Sequence, residues 1–215
     1  MKYQLIIFDW DGTIMDSVPK IVGTMQAAAE RMSLPKPADD AVRGIIGLGL
    51  NPAIQQLFPG IESEAVLALR EHYSDIYVND DVVPSPLFEG AVDVLHSFKR
   101  FGCDLAVATG KSRRGFNRVV SASGVASLFS YSRCADETHS KPHPAMVNEL
   151  LAESGVAPDQ ALVVGDSEFD MEMAQRAGVD RIGVSYGAGG EAQILKYDPL
   201  MYIDRIEALL ELLPD

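Results

Sequence analysis

The stretch Leu5-Ile6-Ile7-Phe8-Asp9-Trp10-Asp11-Gly12-Thr13 constrains the fold more than any other part of the chain. Four apolar residues run directly into two carboxylates one residue apart, followed by a glycine and a hydroxyl. Such a short, unbroken apolar run reads as a strand buried on both faces. The carboxylates then fall where the strand leaves the core, and in an open parallel sheet ligands bind at that edge. A hairpin turn at Asp11-Gly12 is the competing reading. Helical spacing through Ala29 disfavours it, because no antiparallel partner follows. A calcium loop is disfavoured too, since its glycine stands sixth after alternating oxygen ligands and here glycine comes fourth.

Downstream, Ile21, Met25, Ala28 and Met32 recur at helical spacing, with Asp16 or Ser17 as candidate N-caps and Pro19 in the first turn. Leu34-Pro35-Lys36-Pro37 breaks this helix. Residues 38–77 read as helical, interrupted at Gly47-Leu48-Gly49, with Ile61, Val66, Leu69, Tyr73, Ile76 and Tyr77 as an amphipathic stripe. Residues 79–86 read as a linker. The expected organisation is therefore a core of residues 1–16 and 86–215 with an all-helical insertion at 17–85.

From Leu87 the rhythm changes to strands alternating with helices. Short buried strands are expected at 105–108, 129–134, 161–164 and 181–185, with an edge strand at 201–203. Residues 187–190 read as a flexible glycine loop, and Ile206, Leu209, Leu210 and Leu213 as an amphipathic C-terminal helix. Alternation of this kind predicts an α/β fold: a Rossmann-like parallel sheet with helices on both faces, plus the helical insertion.

The strands deliver polar clusters: Asp9/Asp11, Thr109 with Gly110, and Asp166/Asp170. A fourth cluster, around Lys141, lies in a loop. Parallel strands place their carboxyl ends on one edge, so these residues should converge. Grouped carboxylates repel, by about 4 kcal/mol for two charges ~4 Å apart at a protein-like dielectric. A cation must offset this, and oxygen-only ligands favour magnesium over zinc. A hydroxyl, an amide and a lysine suit a phosphoryl group. Together these groups point to phosphoryl transfer.

These motifs resemble, in order and spacing, the four motifs of the haloacid dehalogenase-like hydrolases: Asp9-Trp10-Asp11-Gly12-Thr13, Thr109, Lys141 and Gly165-Asp166-Ser167-Glu168-Phe169-Asp170. The insertion after the first motif is similar to the cap of the phosphoglycolate phosphatase-like subgroup. The resemblance implies that Asp9 attacks phosphorus and forms an aspartyl phosphate, while Asp11 protonates the leaving oxygen and then takes a proton from water. It implies that Asp9, the Asp11 backbone carbonyl and Asp166 hold Mg2+, with Asp170 supporting the water around the metal. Thr109 and the Gly110 amide would bind phosphoryl oxygens, Lys141 would neutralise developing charge, and Asp16 and Ser17 would lie at the cap hinge. Many relatives carry asparagine where Gly110 stands. True dehalogenases lack the second aspartate of the first motif, so the presence of Asp11 disfavours dehalogenation.

The expected activity is hydrolysis of a small phosphorylated metabolite. A phosphomutase of the same fold and a non-catalytic binding protein are the alternatives. The net charge of −13, from 18 basic and 31 acidic residues, disfavours nucleic acid or a membrane surface as partner. No apolar run approaches the ~20 residues of a membrane span. Cys103 and Cys134 make neither a disulfide framework nor a metal pair. Met1-Lys2-Tyr3-Gln4 leads straight into the first strand, so a cytoplasmic protein is expected. His139 and His143 flank Lys141 and read as a polar loop. Gly44, Gly47 and Gly49 follow a helical stretch, so a substrate-specificity loop is the better reading than a dinucleotide fingerprint. Lys20 and Arg43 read as solvated charges.

Overall fold

The computed structural model describes residues 2–79 and 85–214. The centre of the expected linker, residues 80–84, lies outside the described residues.

Among the described residues the strands are β1 (Leu5–Phe8), β2 (Asp104–Thr109), β3 (Tyr131–Cys134), β4 (Ala161–Gly165), β5 (Asp180–Val184) and β6 (Met201–Ile203). They form one parallel sheet in the order β3-β2-β1-β4-β5-β6. β1 is central, and the strand order reverses across it, which opens a crevice at its carboxyl end. All four β1 residues are fully buried.

The period of two divides the side chains between the sheet faces. Ile6, Phe8, Leu105, Val107, Leu162 and Val164 join one core with α5 (Ala91–Arg100) and α6 (Arg113–Ser123). Leu5, Ile7, Ala106, Ala108, Ala161 and Val163 join the other with α7 (Ala145–Ser154) and α8 (Glu168–Arg176). Trp10 keeps the parity of Ile6 and Phe8 and is buried in the first core, edge-on to Phe116 at 5.3 Å and Phe129 at 6.0 Å. That anchor separates Asp9 from Asp11.

Residues 18–79 form α1 (Val18–Arg31), α2 (Asp39–Arg43), α3 (Leu50–Leu57) and α4 (Ser63–Asn79). Their apolar faces make a separate cluster that includes Met25, Ala28, Val42, Ile54 and Leu69. Each fully buried aliphatic side chain of this kind contributes about 1.5–3 kcal/mol. The chain leaves and re-enters the sheet layer side by side: Met15 bridges Leu87, and the Asp16 amide donates to the Pro86 carbonyl at 2.9 Å.

One local expectation is refined and two change. The expected C-terminal helix is present over Ile206–Leu212, as a 3₁₀ helix. Its buried residues, Ile206 and Leu209, are three apart, the spacing that aligns side chains in a 3₁₀ helix. β3 starts at Tyr131, two residues later than expected. Ser17 precedes α1 but makes no side-chain cap bond, because its hydroxyl is used at the site below.

Candidate active site

The carboxyl ends of β1 and β4 bring Asp9 and Asp166 together, and the first turn of α8 adds Asp170. The three carboxylates lie within 4.8 Å of one another, and all are buried. Lys141 enters from the loop before α7 and is 2% exposed. Its ammonium donates to Asp9 Oδ1 at 2.7 Å and Asp170 Oδ1 at 2.6 Å. Asp170 also accepts at Oδ2 from the Ser167 amide at 3.1 Å and the Ser167 hydroxyl at 2.6 Å. It therefore caps α8 and orients Lys141 at once.

Asp166 is enclosed by glycines. A Cβ on Gly12 or on Gly187 would lie 2.2 Å from its side chain, and one on Gly189 would lie 2.2 Å from its carbonyl. Asp166 Oδ1 accepts from the Thr13 hydroxyl at 3.2 Å, and Oδ2 accepts from the Ala188 amide at 2.6 Å. The 187–190 segment, expected as a flexible loop, is thus a wall of the site. The signal for it was present in the sequence: a glycine run directly after a strand.

Burial pushes the Asp9 carboxyl well above the usual carboxylate range, with Asp170 and Asp166 adding to the rise and Lys141 opposing it. Asp166 is pushed up to about 7 by burial and by the neighbouring Asp170. Burial lowers the affinity of Lys141 for its proton, but Asp170 and Asp9 outweigh this and hold it charged. One ammonium cannot balance three ionised carboxylates, and the raised Asp9 and Asp166 values express that excess of negative charge. Asp9 Oδ2 is also buried with no hydrogen-bond partner, which is costly unless a ligand meets it. The donor set is oxygen only. Excess negative charge and a set of hard oxygen donors fit a divalent cation of the magnesium type.

Asp11 lies beyond Trp10, with its side chain 10% exposed. Its Oδ1 accepts from the Ser17 hydroxyl at 2.5 Å and pairs with the Lys111 ammonium at 3.0 Å. The sequence pointed to one lysine in the site, whereas the structure holds two. Lys111 follows the second motif directly, but its partner Asp11 is a hundred residues away, so nothing local marks it.

Thr109 is buried at the end of β2, and its hydroxyl accepts from the Lys111 amide at 3.2 Å. Gly110 lies against the helical insertion, where a Cβ would meet the Leu48 carbonyl oxygen at 2.4 Å. The 47–49 loop presses on three strand-end loops of the core. Gly47 faces Ser167 and Phe169, Leu48 faces Gly110, and the Gly49 amide donates to the Ser140 hydroxyl at 2.7 Å. His139 and His143 are exposed and tilted against each other at 4.4 Å, and they join no metal-type cluster among the described residues.

The family model for haloacid dehalogenase-like hydrolases matches residues 6–184. Among curated relatives, a probable phosphatase, IndB, from Dickeya dadantii is 35% identical over 206 residues, covering 93% of this chain and 89% of its own. A phosphoglycolate phosphatase from Haemophilus influenzae is 30% identical over 221 residues, covering 99% of each. Among solved structures, that of a "predicted phosphoglycolate phosphatase" from Haemophilus somnus 129pt has a TM-score of 0.86 at 27% identity, covering 99% of this chain and 98% of that one. No helix among the described residues is long and apolar enough to cross a membrane. The motif residues gathered around Asp9, the parallel sheet that gathers them and the match over most of the chain agree that this protein belongs to the haloacid dehalogenase-like hydrolases.

Proposed function

We propose that the protein is a magnesium-dependent phosphatase that hydrolyses a small phosphomonoester through a phosphorylated Asp9. The observation that carries this reading is the state of Asp9. One carboxylate oxygen is fixed by Lys141 at 2.7 Å, and the other is buried with no partner. A nucleophile needs that arrangement: a set orientation and an uncommitted oxygen.

Asp9, the main-chain carbonyl of Asp11 and Asp166 would hold the ion, with Asp170 ordering water around it. When bound, magnesium neutralises charge on the phosphoryl oxygens and among the carboxylates. Asp9 attacks phosphorus while Asp11 gives its proton to the departing ester oxygen. Water then attacks the acyl phosphate, and Asp11 takes a proton from it, so the products are an alcohol and inorganic phosphate. Thr109 and the Gly110 amide bind phosphoryl oxygens, and Lys141 balances charge as it builds on Asp9 and phosphate.

Residues 17–85 act as a cap that excludes water and bounds the leaving group. Its Gly47-Leu48-Gly49 loop contacts the core at the strand ends, which supports that role. The net charge of −13 supports a small metabolite over nucleic acid or a membrane surface as partner.

The test is phosphate release from a panel of acid, sugar and nucleotide monophosphates, with phosphoglycolate first because several relatives carry that name. Magnesium-dependent release that disappears in Asp9→Asn is the expected result. No release from any compound, or full turnover by Asp9→Asn, overturns the reading, and isomerised product without free phosphate points to a mutase.

A further inference from the structure

We propose that Lys111 is a positioning residue for Asp11, and that Tyr77 of the helical insertion holds Lys111 in place. The proton-transfer carboxylate is then fully set only when the insertion lies on the core. This rests on the phosphatase reading above.

Two contacts fix the Asp11 carboxylate: the Ser17 hydroxyl at 2.5 Å and the Lys111 ammonium at 3.0 Å. Both fall on Oδ1, which leaves Oδ2 to carry the proton. Ser17 belongs to the segment that enters the insertion, and Lys111 to the loop after β2, so Asp11 is gripped from both layers. A lysine side chain is long and flexible, and it orients a carboxylate only if it is itself restrained. Tyr77 supplies the restraint. Its hydroxyl lies 3.4 Å from Lys111 Nζ, and its ring face lies 4.8 Å from the same atom. Tyr77 is buried near the end of α4, and its carbonyl accepts from the Arg118 guanidinium of α6 at 3.3 Å. Arg118 and Lys20 also lie over the ring, at 5.4 and 4.9 Å. Three cations around one aromatic ring is an unexpected density in a chain of net charge −13. The negative ring face and the Asp11 carboxylate offset their mutual repulsion. The insertion therefore meets the acid–base end of the site twice, directly through Ser17 and by way of Lys111 through Tyr77.

The step served is the first half-reaction. The bond from phosphorus to the leaving oxygen breaks as the Asp9–phosphorus bond forms, and the Asp11 proton moves to the leaving oxygen. Need for that proton depends on the leaving group, which gives a test that a merely structural role would not pass. Benzyl phosphate and p-nitrophenyl phosphate are similar in size, but an alkoxide needs the proton and a nitrophenolate does not. In the magnesium-loaded enzyme, kcat/KM reports this half-reaction. Lys111→Met should lower kcat/KM for benzyl phosphate by about tenfold or more and for p-nitrophenyl phosphate by less than about threefold. Tyr77→Phe keeps the ring and should show the same preference, at about threefold on benzyl phosphate. In an Asp11→Asn background, Lys111→Met should cause no further loss.

Equal losses on both esters, no loss on either, or a loss that persists in the Asp11→Asn background overturns the proposal. If Lys111→Met fails to fold, Tyr77→Phe provides the same comparison of the two esters, and equal losses or no loss there overturn the proposal in the same way. A wild type that releases phosphate from neither ester nor any compound of the panel above overturns the phosphatase reading itself, and this proposal with it.

Discussion

The carbonyl oxygen of Leu48 stands directly over Gly110, so close that a Cβ on Gly110 would lie 2.4 Å from it. Leu48 belongs to the helical insertion and Gly110 to the loop after β2. Only glycine lets these two backbones approach this closely. An asparagine at this position would push the 47–49 loop off the core.

Gly110→Asn therefore separates closure from folding. Displacing the loop by about 1 Å misplaces the groups it seats, so kcat/KM should fall on the order of 10²-fold. The sheet does not depend on this contact, and the thermal midpoint should stay close to wild type. Steady-state kinetics and a thermal melt on the same preparation check both parts. Wild-type kcat/KM in Gly110→Asn would show that the approach of Leu48 has no functional weight.

Lys141→Met tests the charge balance of the cluster. The ammonium is the cation that Asp9 and Asp170 share, at 2.7 and 2.6 Å, with all three side chains at most 1% exposed. Removing one member of a buried ion cluster costs about 3–5 kcal/mol. Urea unfolding without divalent ions should show that loss, and magnesium should recover part of it by supplying the missing positive charge. An unchanged unfolding midpoint without metal would contradict the argument.

Asp9→Asn should act in the opposite direction on stability. Burial and the neighbouring Asp170 and Asp166 disfavour the charged Asp9, and Lys141 only partly compensates. The neutral amide relieves that cost. The metal-free variant should melt above metal-free wild type, while turnover falls on the order of 10⁴-fold or more with loss of the nucleophile. Calorimetry without divalent ions reads the first effect and phosphate release the second.

The pH dependence follows from Asp166, whose pKa is raised from 3.8 to about 7. Within that window the folded chain keeps a proton that the unfolded chain releases. The contribution of this group to metal-free stability is therefore present at low pH and lost as pH rises towards about 7. The same proton competes with a cation for the carboxylate. The rise in melting temperature on adding magnesium chloride should be larger at about pH 8 than at about pH 5. An equal rise at both values would separate Asp166 from the metal.

The apolar runs 5–8, 105–108 and 161–164 specified buried parallel strands by themselves, because burial on both faces leaves a continuous hydrophobic signature. Strand polarity then placed Asp9, Thr109 and Asp166 on one edge, and those positions could be read from the residues alone. What is set through space could not. The pairing of Lys111 with Asp11 and Tyr77, the approach of Leu48 to Gly110, and the amide that Ala188 lends to Asp166 each join segments distant in the chain. Hydrophobic periodicity is a local property of the sequence. Ion pairing and backbone clearance depend on distances that exist only once the strands, their loops and the insertion have packed together, and the folding of the core decided which lysine faces which carboxylate.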